Sequence, residues 1–245
     1  MHIELIGCTG AGKSTIARQL VAAGRRQGTE ILTEQEFILR CFWLNWLLGK
    51  RVRTCAVNLL AVSASCIYWR ANRPFGCFVL RTILRQRIGW LQKVYLARIA
   101  LKKLGTDYII RRRVSSQQIV VVDEGTLLIA NNLFVDCNVK PDLDKLAEFA
   151  DLVPVPDVVV YVKERKAVLV TRTLQRGHKR IPSRSPTQVQ AFISGALEIF
   201  DRLTQHPAVR DRLWIVESTH EIRFSENPPP PNELTRMFQS LVPHG

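Results

Sequence analysis

The feature that most constrains this chain is Gly7-Cys8-Thr9-Gly10-Ala11-Gly12-Lys13-Ser14, a complete GxxxxGK[ST] match close to the N-terminus. Ile3, Leu5 and Ile6 precede it as a strand would, and Ile16, Leu20 and Val21 follow at helical spacing. The glycines allow successive backbone N–H groups to wrap a phosphate, and the next helix points its positive end at the same place. Lys13 is expected to bridge the β- and γ-phosphates and the Ser14 hydroxyl to ligate Mg²⁺. Gly7, Thr9, Gly10, Ala11, Gly12, Lys13, Ser14 and Thr15 are therefore the expected contacts of a bound nucleotide, with ATP and Mg²⁺ as the implied cofactors. A strand feeding such a helix also predicts an α/β fold with a parallel sheet.

The remaining strands follow from short apolar, β-branched runs. They are expected at residues 30–33, 119–122, 158–162 (entered through Pro154-Val155-Pro156-Asp157) and 213–216. The 119–122 run ends in Asp123-Glu124-Gly125. An acid at the carboxyl edge of a parallel sheet faces the ligand crevice, so Asp123 is expected to support the metal and Glu124 to meet the substrate. Arg172 and Arg176, four apart on one helical face, and Arg180 beyond them are placed to neutralise a migrating phosphoryl group, with Gly177 as a hinge. Glu34 and Glu36 follow the second strand; they fit substrate-binding or proton-accepting carboxylates, or a helix-start cap. Residues 228–231 form a proline stop before a last short helix near 233–241.

Charge is distributed unevenly. Residues 40–113 hold 16 Lys or Arg and one acid, Asp107, whereas the rest of the chain holds 19 basic and 20 acidic residues, so the whole +14 excess resides in this segment. The segment also carries Trp43, Trp46, Trp69 and Trp90. Leu80, Ile83, Leu84, Ile88, Leu91, Val94, Tyr95 and Ile99 recur every three or four residues, which predicts a helix with Arg81, Arg85, Gln92 and Lys93 on its other side. Such a segment suits an anionic partner. In one reading Arg70 and Arg73 line the pocket of an anionic acceptor; in another the segment rests weakly on an anionic membrane; nucleic acid is the third and least favoured partner. Residues 54–69 are uncharged but fall short of the ~20 needed to span a bilayer, so a buried or interfacial helix is expected. Six scattered cysteines without a CxxC pair suit a reducing compartment. The first strand begins at once and leaves no room for a signal peptide, so a cytoplasmic location with peripheral membrane contact is the expectation.

Taken together, GCTGAGKST, IVVVDEG, VPVPDVVVYV, the arginines 172–180, FISGALEIFDRL and LWIVES resemble the thymidylate kinase-like nucleoside and nucleotide kinase group of P-loop proteins over about residues 1–35 and 117–220. The resemblance implies one P-loop domain over 1–245: a three-layer sandwich around a parallel sheet, with an enlarged basic helical insert at 36–115 for the acceptor and an Arg-bearing lid at 164–187. It implies an ATP-dependent kinase that moves the γ-phosphoryl of ATP-Mg²⁺ to a nucleoside, nucleotide or other small metabolite. Lys13, Asp123, Arg172 and Arg176 would be catalytic, Ser14 and Asp123 would support the metal, and Glu34, Glu36, Arg70, Arg73 and Glu124 would bind the acceptor. Thymidylate kinases carry an Asp-Arg pair where this chain has Asp123-Glu124, and an arginine-glutamate-proline stretch where it reads Thr33-Glu34-Gln35-Glu36. The resemblance therefore carries fold, ATP site and phosphoryl transfer, but not thymidylate. The rival is a nucleotide-hydrolysing ATPase or switch without an acceptor; the absence of NKxD and LSGGQ motifs counts against its GTPase and transporter forms.

Overall fold

A computed structural model describes residues 1–137, 139, 141–181, 185–217 and 222–224. Five parallel strands, β1 (His2–Ile6), β2 (Glu30–Thr33), β3 (Gln118–Val122), β4 (Val158–Lys163) and β5 (Leu213–Glu217), lie in the order β2-β3-β1-β4-β5. A short antiparallel strand, β6 (Ile222–Phe224), extends the β5 edge. The expected strands thus form, and the sheet gains one antiparallel member. The 228–231 prolines and the helix expected at 233–241 lie outside the described residues.

β1 is central and fully buried, with Ile3 level with Val121 of β3 on one side and Val158 of β4 on the other. The chain leaves β1 toward β2 through α1 (Lys13–Arg26) and reaches β4 on the opposite side only after β3. The order of connections therefore reverses between β1 and β3, and at such a point the carboxyl ends of the strands splay to leave a crevice. Both the phosphate loop and Asp123-Glu124 emerge there. Strand order, three-layer packing and loop position make this a P-loop NTPase fold.

Side-chain alternation along β3 divides the core. Val120 and Val122 join Leu32, α2 (Glu34–Cys41), α3 (Lys50–Ile67) and α5 (Trp90–Arg113) in one cluster. Ile119 and Val121 belong to the larger cluster that holds Ala17, Leu20 and Val21 of α1 and Phe192, Ile193 and Phe200 of α9 (Pro186–Gln205).

The basic segment folds as a helical layer. α3 is followed by a 3₁₀ turn (Trp69–Asn72), α4 (Arg73–Arg85) and α5. The Ala61 carbonyl lies so close to Gly105 that a Cβ there would overlap it, and the Tyr68 and Tyr108 rings stack with centroids 4.2 Å apart. Rising numbers meet rising numbers, so α3 and α5 run side by side in the same direction, while α4 turns by 78° from α3 and meets the first turn of α5, where Lys93 donates to the Leu84 carbonyl. The single helix expected across residues 80–99 is broken. Gln86 is extended (ψ 141°), its side-chain amide donates to the Leu133 carbonyl at 2.7 Å, and Gly89, a poor helix former, precedes α5. Ile88 turns inward at this corner, while Leu84, Leu91, Val94 and Tyr95 of the expected apolar face are exposed. Where the sequence predicts a buried or interfacial helix, α3 is a surface helix with one buried stripe, Val57, Ala61, Ala64 and Ser65, and it leaves Leu59 and Ile67 in solvent.

Candidate functional site

The phosphate loop takes the backbone path its glycines permit. Gly7, Gly10 and Gly12 have φ of 138°, 81° and 98°, values that L-residues with side chains rarely adopt. α1 opens directly from Gly12, whose carbonyl accepts the amides of Thr15 at 2.9 Å and Ile16 at 3.1 Å. Lys13 folds back into the loop, its Nζ donating to the carbonyls of Gly7 (2.9 Å) and Cys8 (3.0 Å). Burial pushes the Lys13 pKa down, while Asp123 and Glu124 pull it back toward the charged form. Cys8, buried beside it, has its thiol pushed up to about 12 by the same desolvation and is not a nucleophile.

Ser14 donates its hydroxyl to Asp123 Oδ2, joining the first helical turn to the end of β3. Asp123 Oδ1 is buried and has no hydrogen-bond partner. An orphaned carboxylate oxygen next to a serine hydroxyl at a helix N-terminus is a hard-oxygen donor set that fits Mg²⁺, with phosphate and water supplying its other ligands. Among the described residues there is no cluster of three or more His, Cys, Asp or Glu that could hold a metal.

Arg172, on α8 (Lys166–Arg176), reaches across to donate to the Gly10 carbonyl at 2.9 Å, and it also pairs with the buried Glu164 at 3.2 Å. Glu164 was not foreseen; its position next to the end of β4 was the available signal. Arg176 is one turn further on and exposed, and Gly177 (φ 71°) ends the helix. Arg180 does not hang over the loop with them. Its guanidinium donates to the carbonyls of Asn131 (3.0 Å) and Val135 and lies 5.4 Å from the Phe192 ring centre, so it ties the segment after α8 to α6 (Ile129–Phe134) and α9.

Between these elements and the helical layer lies a cleft of about 1070 Å³, at the upper end of the range for small-molecule sites. Its basic lining is Arg98, Lys102, Lys103, Lys179 and Arg180; its acids are Glu34, Asp123 and Glu124. Thr54, Asn58, Tyr95, Asn132 and His178 add neutral polar groups. Glu34 faces the cleft, its carboxylate 3.5 Å from Lys102 Nζ. Glu36 does not. It closes a capping box with Thr33, accepting from the Thr33 amide at 3.1 Å and hydroxyl at 3.0 Å, and lies 3.4 Å from Arg25. The cap alternative therefore describes its contacts. Arg70 and Arg73 are exposed at the turn between α3 and α4, outside the cleft, because the chain reverses there at the far end of the layer. The basic residues that the helical layer turns to the cleft come from α5 instead.

A buried polar group underlies the cleft. Glu4, in the middle of β1, is fully buried; its Oε1 accepts the Leu127 amide at 2.9 Å and its Oε2 the Thr126 hydroxyl at 3.3 Å. Burial raises its pKa to about 7, and the nearby Lys103 opposes that rise. Lys103 is itself buried; its Nζ donates to the Glu124 carbonyl at 2.7 Å and lies 3.7 Å from the Glu124 carboxylate. Gly125 has no Cβ because one would collide with the Glu4 carboxyl. An acid inside the otherwise apolar run HIELI was the sequence signal for this group.

No family model matches the chain, and no curated protein does. Solved structures similar to it include deoxyadenosine kinase from M. mycoides with bound dATP (14% identity, TM-score 0.43, covering 98% of this chain and 99% of that one). Another is the same enzyme with the products dCMP and dCDP (13% identity, TM-score 0.45, covering 98% and 96%). Shikimate kinase from Bacteroides thetaiotaomicron is a third (14% identity, TM-score 0.39, covering 98% and 96%). With TM-scores of 0.39–0.45 and identities of 13–14%, the likeness carries no argument about this chain.

Proposed function

We propose that this protein is an ATP-dependent phosphotransferase that moves the γ-phosphoryl of ATP-Mg²⁺ to a small, hydroxyl-bearing and anionic acceptor held in the cleft over α5. One observation carries the reading: Asp123 belongs to two sites at once. Asp123 touches Ser14 of the phosphate loop, and both acids line the large cleft, so a molecule in the cleft abuts the end of the nucleotide. A machine that only hydrolyses nucleotide has no use for so large a basic-lined space beside its metal acid. The cleft's five cations against three acids suit an anionic acceptor.

In this reading the loop amides and Lys13 hold the β- and γ-phosphates, and Mg²⁺, held by Ser14 and Asp123, would neutralise phosphate charge. Arg172, already against Gly10, is oriented by Glu164 toward the migrating phosphoryl, and Arg176 on the same face adds charge as the segment at 164–187 closes as a lid. Glu34 hydrogen-bonds the acceptor hydroxyl and takes its proton as the acceptor oxygen bonds to the γ-phosphorus and the bond from that phosphorus to the β-phosphate oxygen breaks, releasing ADP. The proposed arrangement is one domain in which the 36–115 insert supplies the acceptor site. The test is a transfer screen with labelled ATP-Mg²⁺ over nucleosides, nucleotides, sugars and lipid alcohols, run beside Lys13→Ala. Label should move to one acceptor class and stop moving in the variant. Acceptor-independent release of inorganic phosphate alone would refute the kinase reading.

A further inference from the structure

α3 and α5 run in the same direction, with Thr54 and Tyr95 lining the same cleft, and Lys93 of α5 donates to the Leu84 carbonyl of α4 at 2.7 Å, so the start of α3, the last turn of α4 and the first turn of α5 share one end of the helical layer. Large apolar side chains crowd this end in full contact with solvent. Leu48 is 88% exposed, Leu91 85%, Trp46 71% and Trp90 69%, with Val52 and Leu84 also exposed beside them. Of the large hydrophobic side chains exposed among the described residues, all but Val139 lie between Trp43 and Tyr95, although Leu59, Ile67 and Tyr68 lie further along α3, away from this end.

The charge around the patch has one sign. Exposed Lys50, Arg51, Arg81, Arg85 and Arg87 surround it, and the sequence has no acid between residues 40 and 106. Asp136, Asp142 and Glu148 face Arg81 and Arg85 across a neighbouring cavity, which leaves Lys50 and Arg51 as the cleaner cations. Those two sit in the first turn of α3, which has no acidic residue and no side-chain cap. Cations at a helix N-terminus oppose the helix dipole, so their placement there costs local stability and points to an external anion.

We propose that this end of the helical layer is a docking surface for an anionic lipid bilayer. Cations alone would serve a nucleic acid equally well, but solvent-exposed Leu48, Leu84 and Leu91 gain nothing from a phosphate backbone and do gain from hydrocarbon. Tryptophans beside them suit the headgroup boundary. The contact is superficial. Among the described residues no single helix is long and apolar enough to cross a membrane. The α3–α4 pair that passes on length and composition together is bent by 78°, and α3 buries Val57, Ala61 and Ala64 within the fold. At ~1.5 Å per helical residue, Tyr95 stands about 6 Å behind Leu91, which brings the cleft close to the headgroups.

The full-length protein is mixed with phosphatidylglycerol–phosphatidylcholine vesicles and, separately, with phosphatidylcholine alone, and sedimented at low salt. Binding to the anionic vesicles only is expected. Trp90→Ser/Leu91→Ser and, independently, Lys50→Glu/Arg51→Glu should each lower the partition coefficient about tenfold or more. Because all four side chains are exposed and the two pairs lie on separate helices, unchanged circular dichroism should accompany both losses. Failure to sediment with anionic vesicles overturns the proposal, as does partitioning that neither variant alters. Salt-sensitive binding to duplex DNA, lost on charge reversal but indifferent to Trp90→Ser/Leu91→Ser, would identify nucleic acid instead. Vesicle binding does not depend on turnover, so this result and the transfer screen stand or fall separately.

Discussion

Replacing Glu4 by Gln should stabilise the protein at alkaline pH and leave it unchanged in acid. Glu4 is fully buried, and its pKa rises from an ordinary 4.5 to about 7, mainly through desolvation and against the pull of Lys103. In that window the folded state holds a proton that the unfolded chain has released, so stability falls as pH rises from 4.5 toward 7 and stays lower above it. The shift corresponds to about 3 kcal/mol at most. Gln keeps the local geometry: its carbonyl can accept from the Leu127 amide, and its NH₂ can donate to Thr126 Oγ1, whose single hydrogen, shared between Glu4 and the Pro154 carbonyl in the parent, is then free for Pro154 at 2.9 Å. Losing the attraction to Lys103 offsets part of the gain, leaving an expected rise of about 1–3 kcal/mol at pH 8 and none at pH 4. Urea unfolding of both proteins from pH 4 to 8 measures this directly. A variant that is less stable than the parent at pH 8 but equal to it at pH 4 would mean that ionised Glu4 forms a net stabilising pair with Lys103, and the desolvation argument would fail.

Asp123→Asn should lower turnover about 10²-fold, because it removes preorganised charge beside the reacting phosphate; steady-state rates across a Mg²⁺ titration check this, and near-normal rates would remove Asp123 from the metal site. Arg172→Ala should reduce kcat by about tenfold or more, while Arg70→Ala should leave kcat and KM unchanged, since only Arg172 touches the phosphate loop; an acceptor-KM effect of Arg70→Ala would restore the sequence-based assignment. Gly105→Ala should cost about 1–3 kcal/mol in urea unfolding, because its Cβ would overlap the Ala61 carbonyl where α3 crosses α5.

The sequence by itself determined the phosphate loop, the five parallel strands and the acid at the end of β3. Each is set by near neighbours: glycines that reach positive φ, β-branched runs whose faces are both buried, and a charge placed where a buried strand must stop. Tertiary structure decided which charges share a space. Arg70 and Arg73 belong to the same basic segment as Arg98 and Lys102, yet the reversal after α3 carries the first pair away from the cleft and brings the second pair into it. Glu34 and Glu36, two residues apart, separate because one faces the cleft from the first turn of α2 while the other turns back to cap that helix. The helix expected across residues 80–99 breaks where Gln86 finds the Leu133 carbonyl, a partner 47 positions away that local periodicity cannot reveal. The Glu4–Lys103 pair likewise joins residues from β1 and α5, and only the packing of the helical layer against the end of the sheet brings them together. A local pattern reports the conformation of a segment; which distant groups satisfy its buried charges and carbonyls depends on how the segments are packed.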